Sequence, residues 1–362
     1  TDAAAAYDLG RLTLAHDGRT GSGGIVITAP NVTFAEHGLQ PAMLSPLAAD
    51  FLQSPVEGAV SFDGRFDWTK DAEPTSSGHL VTPGLDFVSP VGAVKGLRGD
   101  IVFSSLPPLI TAPNQKLTAD GQAVGTAVTA LDVTFSINEA GVLIDGAQVV
   151  AGGGTVSVEP FTVPLDATQP YSGVIVLDRV QLGDIVADTG FDDKVQLDAV
   201  VSGRLPFIMD PKRGLKITAG KLEAVQPGRL SIKRDVLTDV AASGGGGEVS
   251  ENVVEDLAYQ AMENLSFDQL SADVNSLDGG RLAVLFHIRG RHDPPKRQEL
   301  RLTIGELISR QFLNRKLPLP SNTQIDLTLD TTLNANQLIS DLLAVNRARQ
   351  GQQEATPAPV PA

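Results

Sequence analysis

The chain has 362 residues, of which 42% are hydrophobic and 20% charged, a composition typical of folded rather than disordered proteins. Its formal net charge of −15 argues against nucleic-acid binding, because phosphate backbones attract a basic surface. With no cysteine in the sequence, disulfide bonds and cysteine-ligated zinc are excluded. The length is sufficient for two ordinary domains or for one elongated domain.

Turn and strand signals recur from the start of the chain. Asp-Gly pairs at 17–18, 63–64, 120–121, 145–146 and 278–279 predict hairpin turns, because glycine adopts positive φ without a steric penalty. Between such turns every second residue is apolar, as in Val133, Phe135 and Ile137. This alternation predicts strands with one apolar and one polar face. We expect roughly 20 strands, joined as antiparallel neighbours.

The middle of the chain contains two glycine runs and one helical pattern. Gly152–Gly154 precedes a predicted strand, whereas a phosphate-binding loop precedes a helix. The second run, 244–247, does precede a predicted helix at 250–265, but Glu248 and Glu251 would repel phosphate. Neither run is therefore predicted to bind nucleotides.

The segment after residue 280 is apolar on one side and basic on the other. Leu282, Val284, Phe286 and Ile288 alternate with mostly polar residues. From Arg281 to Lys316 the sequence contains nine basic residues against three acidic ones. The cations indicate either the solvated outer face of a sheet or a surface that attracts anionic head groups or an acidic partner.

The C-terminal segment combines further helices with a last strand. A short helix is predicted at 305–313, a strand at 323–331 with Ile325, Leu327 and Leu329 on its apolar side, and an amphipathic helix at 334–345. Residues 347–362, rich in Gln, Pro and Ala, are predicted to be disordered.

The sequence indicates no catalytic residue, metal site or cofactor. The five histidines lack metal-ligand spacing, and His292 with Asp293 is predicted in a proline-rich turn. There is no G-x-S-x-G nucleophile elbow. We therefore expect that the chain is not an enzyme and that its function depends on the apolar side of its strands.

That apolar side is the candidate binding site. Antiparallel strands of this kind usually close into a sandwich or a barrel, and an open curved sheet around a ligand is the rarer alternative. In the second case the lining residues would be Phe135, Ile137, Val176, Leu282, Val284, Phe286, Ile288, Leu300, Leu302, Leu327 and Leu329. In the first, several of them would pack beneath the helices.

Motifs in the second half of the chain resemble the YdbH family. A G-x-L-P element followed by G-x-L-x-A-x-x-P-G is matched by Gly203–Phe207, Gly220–Ala224 and Pro227–Leu230. Asp278–Leu282 and Asp326–Leu329 are similar to later strands of that family. Where the family has G-x-N-P, this chain has Gly290–Pro294 with Asp in place of Asn. The resemblance covers roughly 131–343, while 1–130 fits only in general strand character.

The resemblance implies a mainly β fold of the AsmA-like type. An elongated, curved antiparallel β-sheet would form an open groove, or half-pipe, with a few short amphipathic helices near the C-terminal end. The implied organisation is 1–130 as the N-terminal part of the groove, 131–346 as its YdbH-like C-terminal part with helices near 250–265 and 334–345, and 347–362 as a tail.

The resemblance also implies a function. Such proteins are periplasmic bridges of Gram-negative bacteria that carry phospholipids between the inner and outer membranes. They have an N-terminal inner-membrane anchor, expected to lie outside this chain, and a YnbE-like outer-membrane lipoprotein at the C-terminal end. Two other functions remain open: a structural or adhesive β protein with faces packed together, and assistance in outer-membrane protein assembly, as in the related TamB.

Overall fold

Strands predominate in this computed structural model, and paired strands run antiparallel. The structure describes residues 7–44, 53–89, 92–106, 108–120, 129–166, 168–183, 195–232, 260–278, 280–297, 299 and 318–334. The mainly β, antiparallel class predicted from the sequence is confirmed. The open groove remains a prediction.

The described residues include 20 strands and a short helix. The first ten strands are β1 Arg11–Asp17, β2 Ser22–Phe34, β3 Gln53–Trp68, β4 Thr75–Ser89, β5 Gly92–Ser105, β6 Ile110–Thr111, β7 Gln115–Asp120, β8 Thr129–Asn138, β9 Gly141–Ala151 and β10 Gly154–Val158. The others are β11 Phe161–Val163, β12 Tyr171–Gln181, β13 Val195–Asp198, β14 Val200–Asp210, β15 Gly214–Ile217, β16 Gly220–Ala224, β17 Gly228–Ile232, β18 Leu265–Leu277, β19 Arg281–His292 and β20 Gln324–Asn334. Helix α1 is Pro41–Leu44.

The chain divides into two compact units. The N-terminal unit comprises Thr1–Ala151, Val156–Ile175 and Ile208–Leu215. The C-terminal unit comprises Gly152–Thr155, Val176–Phe207 and Lys216–Ala362. The division at residue 130 that the sequence suggested remains a prediction.

In the N-terminal unit the strands pair in the order β1–β2–β3–β4–β5–β7–β8–β9–β11. Directly opposed residues share a face, so the register shows which side chains line up across strands. Ala29, Phe62, Leu80 and Ile101 form one such row across four strands. The adjacent row on the reverse face contains Thr28, Asp63 and His79. One face of this sheet is therefore largely apolar and the other largely polar.

Bulges keep this face apolar where the sequence alternation changes phase. In β2 the apolar positions are Ile25, Ile27 and Ala29, and then Val32 and Phe34. The register shift between Ala29 and Val32 accommodates the extra residue. Since a bulge inserts one residue into one strand, the side chains on both sides of it point to the same face.

The C-terminal unit contains two linked series, β14–β16–β18–β19–β20 and β13–β17–β18. One row across the first series is Gly203, Leu222, Ala272, Phe286 and Leu329. The neighbouring row on the reverse face is Ser202, Glu223, Ser271, His287 and Thr328. An apolar and a polar face are thus also separated here.

Three predictions of local structure require correction. Asp63-Gly64 and Asp145-Gly146 lie within β3 and β9 and not in turns. The helix predicted at 250–265 ends earlier, because residues 260–263 are helical and Leu265 begins β18. His292 is the last residue of β19 and is buried, rather than part of a turn.

The other helix predictions fall outside the described residues. The segment 305–313 and the tail 347–362 are not described. The helix predicted at 334–345 is likewise outside them, except for Asn334, which ends β20. The last strand is therefore Gln324–Asn334 instead of 323–331.

Candidate functional site

Four of the predicted lining residues lie together on β19. Leu282, Val284, Phe286 and Ile288 share one face and oppose Ser276, Val274, Ala272 and Leu270 of β18. Ile288 and Val284 are only 1% and 6% exposed, so they belong to the packed core of the C-terminal unit. Phe286 and Leu282 are half-buried and retain accessible surface. We call this set, with Leu327 of β20, the C-terminal apolar face.

The remaining predicted residues are dispersed. Leu327 opposes Ile288 and is half-buried, whereas Leu329 opposes Phe286 by register. Val176 is a half-buried residue of β12. Leu300 and Leu302 lie outside the described residues.

Phe135 and Ile137 belong to the N-terminal unit. Phe135 opposes Gln115 and Ile144 and is only 6% exposed. Ile137 is half-buried, and its backbone N–H donates to Thr111 Oγ1 at 2.8 Å. The structure thus groups the β19 residues with Leu327 but places Phe135 and Ile137 on a different unit.

The reverse side of the C-terminal unit is held by polar contacts between strands. Arg289 Nε donates to Asp326 Oδ2 at 3.0 Å, and Arg291 lies 3.9 Å from Asp268. His287 Nε2 is 3.9 Å from the carboxylate of Asp273. His287, Arg289 and Arg291 of β19 therefore each lie near a carboxylate. This arrangement favours the solvated outer face over the anion-attracting surface that the sequence left open.

The N-terminal unit carries an apolar face of which the sequence patterns indicated only the part on β8. Its members share a row or a strand face across β2, β3, β4, β5, β7 and β8, and each is half-buried. They are Ile25, Ile27, Phe62, Leu80, Ile101, Leu117 and Val133. We call this set the N-terminal apolar face. Because its side chains are half-exposed while sharing one surface, it is the part of the described sheet most suited to an apolar ligand.

Two glycines shape the middle of this face. Gly64 and Gly78 oppose each other on β3 and β4, between Ile27 and Phe103. A Cβ on Gly64 would lie 2.8 Å from the Phe62 ring, and one on Gly78 would lie 3.1 Å from Leu106 Cδ1. The missing side chains therefore make room for the Phe62 ring and for Leu106.

One end of the N-terminal apolar face is closed by a packed cluster. Val32, Phe34, Leu39, Val56 and Leu85 are all buried there. The loop that contributes Leu39 is fastened by Gln40. Its Nε2 donates to the carbonyl of Ala35 at 2.7 Å and to that of Val56 at 3.1 Å. This end of the face is thus closed by packed side chains, and we call the cluster the packed floor.

The polar face of the N-terminal unit contains a small ion network. Lys95 Nζ lies 3.0 Å from Asp86 Oδ2, and the N–H of Gly96 donates to Asp86 Oδ1 at 2.7 Å. Burial raises the pKa of Asp86. The hydrogen bonds from Gly96 and Lys95 lower it by a larger amount, so the pKa lies below its ordinary 3.8. The network therefore links β4 to β5 by side-chain contacts.

The described ranges contain neither a metal-ligand cluster nor a membrane-spanning helix. There, no three His, Asp or Glu side chains converge in a way that could hold a metal ion. In the same residues, no helix is both long and apolar enough to cross a membrane.

Comparison with known proteins identifies one family. A family model described as YdbH-like, intermembrane phospholipid transport protein YdbH, matches residues 2–302. The match includes the first 130 residues, where the motifs alone showed only general strand character, and ends before the motif at Asp326–Leu329. No curated protein and no solved structure gives a significant match.

Proposed function

Because the chain belongs to the YdbH-like family of intermembrane phospholipid transport proteins, we propose that its apolar sheet faces carry phospholipid acyl chains. The transfer would run between the inner and outer membranes through the periplasm. The observation that supports this proposal best is the N-terminal apolar face, which spans β2 to β8, is half-exposed, and is backed by a polar reverse side.

Transport requires that the lipid bind to this face weakly enough to be released. Burial of apolar surface stabilises by about 25 cal/mol per Å². A half-exposed face covers only one side of an acyl chain, so binding is weaker than in a closed cavity. The acyl chain can therefore slide along the rows of apolar side chains without a large barrier, and no energy source is needed within the sheet.

The C-terminal apolar face would contribute differently. Phe286, Leu282 and Leu327 are half-buried and can contact an acyl chain directly. Val284 and Ile288 lie on the same face but are buried among neighbouring apolar side chains, so they would hold that surface in place rather than contact the lipid. We therefore propose that the predicted lining residues contact or support the acyl chain. Phe135 and Ile137 would do so in the N-terminal unit and Val176 on β12.

The proposal includes attachment at both membranes. β20 pairs with β19, and its other edge has no partner strand within the described part of the chain. An unpaired edge recruits a strand through backbone hydrogen bonds. A YnbE-like outer-membrane lipoprotein is the proposed partner there, and a segment preceding this sequence would anchor the protein in the inner membrane.

A structural or adhesive role is the second candidate. It is favoured by the burial of Val284 and Ile288, which is what dry packing of two apolar surfaces produces. On this alternative the purified protein would contain no lipid.

Photo-crosslinking at matched positions tests the proposal. Ile27 and Val26 are adjacent β-branched residues of β2 that point to opposite faces, half-buried and exposed respectively. A photoreactive amino acid at Ile27 or Phe286 should capture phospholipid in cells, whereas one at Val26 or His287 should not. Equal labelling of both faces, or no co-purified phospholipid in native mass spectrometry, would contradict the proposal.

A further inference from the structure

The N-terminal apolar face changes character at one end of its strands. Going along the strands, the row Leu14, Ile25 and Phe66 is followed by the row His16, Gly23 and Trp68. This last row lies next to the turns that join β1 to β2 and β3 to β4. We call it, with the two turns, the Trp68 rim. The apolar surface thus ends in aromatic rings that carry polar atoms.

The indole of Trp68 has a defined seat. It lies over Gly23 of the neighbouring strand, where a Cβ would collide with the ring. On the far side, the imidazole of His16 stacks on it, with ring centroids 6.0 Å apart and an interplanar angle of 28°. Trp68 is half-buried and His16 is exposed, so the pair has one apolar side and one side in water.

Charged residues of both signs lie in the two turns beside this pair. The stem of Lys70 packs against Gly21, 3.3 Å from where a Cβ would be, and joins the two turns. Arg19 lies in the first turn, and Asp71 and Glu73 in the second. Within the described residues, none of Lys70, Arg19, Asp71 and Glu73 has an ion-pair partner.

A fifth charge is already engaged. Asp17 accepts the N–H of Arg19 at 2.8 Å and that of Thr20 at 3.4 Å. These hydrogen bonds lower the pKa of its carboxyl group. Asp17 therefore fixes the first turn, and the unpaired charges of the rim are those available to a ligand.

We propose that the Trp68 rim seats the zwitterionic head group of a phospholipid whose acyl chains lie along the N-terminal apolar face. This inference rests on the function proposed above and adds the position and chemistry of the head group. Indole rings favour the boundary between hydrocarbon and water, where the ring body is apolar and the N–H remains hydrated. Lys70 and Arg19 complement a phosphate, and Asp71 and Glu73 complement an amine.

The dimensions agree with this orientation. Trp68 and Phe62 are six residues apart on β3, which corresponds to about 20 Å at roughly 3.3 Å per residue. The hydrocarbon of one bilayer leaflet is about 15 Å deep, half of a core about 30 Å thick. An acyl chain that starts at the rim therefore ends between the row of Gly64 and the row of Phe62, short of the packed floor at Val32.

Fluorescence offers a direct test, because Trp68 is the single tryptophan of the chain. The ligand would be phosphatidylethanolamine whose acyl chain carries bromine atoms, either close to the glycerol or close to the end of the chain. Bromine quenches indole emission at short range. We expect at least about twofold stronger quenching by the bromines near the head group. Equal quenching, or stronger quenching by the distal bromines, would overturn the proposed orientation.

Charge variants test the head-group chemistry. Lys70→Gln should weaken phosphatidylethanolamine binding by about two- to fivefold, the range expected for an exposed charge contact. Lys116→Gln, on the reverse face of β7, is the matched control and should leave binding unchanged. Phosphatidylglycerol and diacylglycerol should both bind more weakly than phosphatidylethanolamine. A preference for phosphatidylglycerol, or no effect of Lys70→Gln, would contradict a zwitterionic seat.

Two further experiments distinguish the head-group site at the rim from the proposed carriage of phospholipid, on which it rests. Glycerophosphoethanolamine without acyl chains should leave Trp68 emission unchanged, and an equal response to it would assign the rim to free phosphate compounds. If mass spectrometry detects bound phospholipid while neither bromolipid quenches Trp68, the rim proposal fails and lipid carriage stands. If no phospholipid is bound at all, the proposed function itself fails.

Discussion

Gln40 satisfies both backbone groups of Val56, accepting its N–H at 2.8 Å and donating to its carbonyl at 3.1 Å. One side-chain amide thus replaces the neighbouring strand that Val56 lacks at this point. Because Val56 is fully buried, loss of the amide would leave these groups unpaired away from water.

The first prediction follows from that pairing. Gln40→Ala should lower the free energy of unfolding by about 1–3 kcal/mol, the cost of buried backbone groups without partners. The control is Gln169→Ala, since Gln169 is exposed and bonds only to the exposed Asp166. Urea denaturation of both variants measures the difference. Equal midpoints would show that the loop is not held by Gln40.

A second prediction concerns passage along the C-terminal apolar face. Phe286→Asp should abolish phospholipid transport while the protein remains folded, because an unpaired charge on an acyl path costs several kcal/mol. Ala283→Asp, on the reverse face of the same strand, should transport normally. Transfer of labelled phospholipid to the outer membrane is the measurement, with circular dichroism as the folding control. A folded and active Phe286→Asp variant would place the lipid path elsewhere. Leu302→Asp is predicted to behave like Phe286→Asp.

The edge of β20 gives a third prediction. Thr328→Pro should weaken capture of the lipoprotein partner far more than Thr328→Ala, because proline lacks the N–H that strand addition uses. Successive N–H groups point to opposite sides of a strand, so one of two neighbouring positions leaves the β19 pairing intact. Leu327→Pro and Leu327→Ala are therefore measured in parallel by pull-down, and only folded variants are compared. Capture that survives both prolines would place docking at another surface.

His292 supports a fourth prediction, on stability. Its imidazole is 1% exposed, and neither ring nitrogen has a hydrogen-bond partner among the described residues. It opposes the fully buried Leu265 of β18. His292→Leu should raise the free energy of unfolding by about 1–3 kcal/mol, since buried polar atoms without partners are destabilising. His37→Leu, at a side chain that is 92% exposed, should change it little. A destabilised His292→Leu variant would indicate that the imidazole makes a polar contact in solution.

A fifth prediction is the pH dependence of the N-terminal unit. The pKa of Asp86 is lower in the folded protein than its ordinary 3.8, so folding favours the carboxylate. The resulting stabilisation is complete above the ordinary pKa and is lost as the pH falls through the lowered one. Urea midpoints should therefore drop between about pH 5 and pH 3. Asp86→Asn should reduce that drop, and an identical pH profile would rule out Asp86 as a contributor.

The strands that could be predicted are those whose alternation is uninterrupted. β19 and the apolar positions of β20 have no bulge against each other, so their faces were legible in the sequence. β18 was missed although it is central to the C-terminal core. Its apolar residues change phase between Phe267 and Leu270, where the register shift places a bulge. A one-residue shift cancels the period-two signal on which strand prediction depends.

The candidate site was only partly accessible to sequence reasoning for a related reason. Leu282 to Ile288 were selected because they alternate regularly, and two of them, Val284 and Ile288, are buried in the core. Apart from Val133 on β8, the half-exposed N-terminal apolar face was missed, since Gly64 and Gly78 interrupt its rows and β2 contains a bulge. The contact between His16 and Trp68 joins residues 52 positions apart and has no local signal at all.

The bulge between Ala29 and Val32 has a consequence for how this sheet can change over evolutionary time. Deletion of Asn31 would remove the extra residue and leave Val32 and Phe34 on the apolar face, in strict alternation with Ala29. Deletion of a single residue away from the bulge, such as Val26, would instead turn the apolar residues on one side of it toward water. Within a paired strand, viable gains and losses of residues should therefore come in twos. Single-residue length changes are confined to the bulges and hairpin turns, where the chain can absorb them without inverting a face.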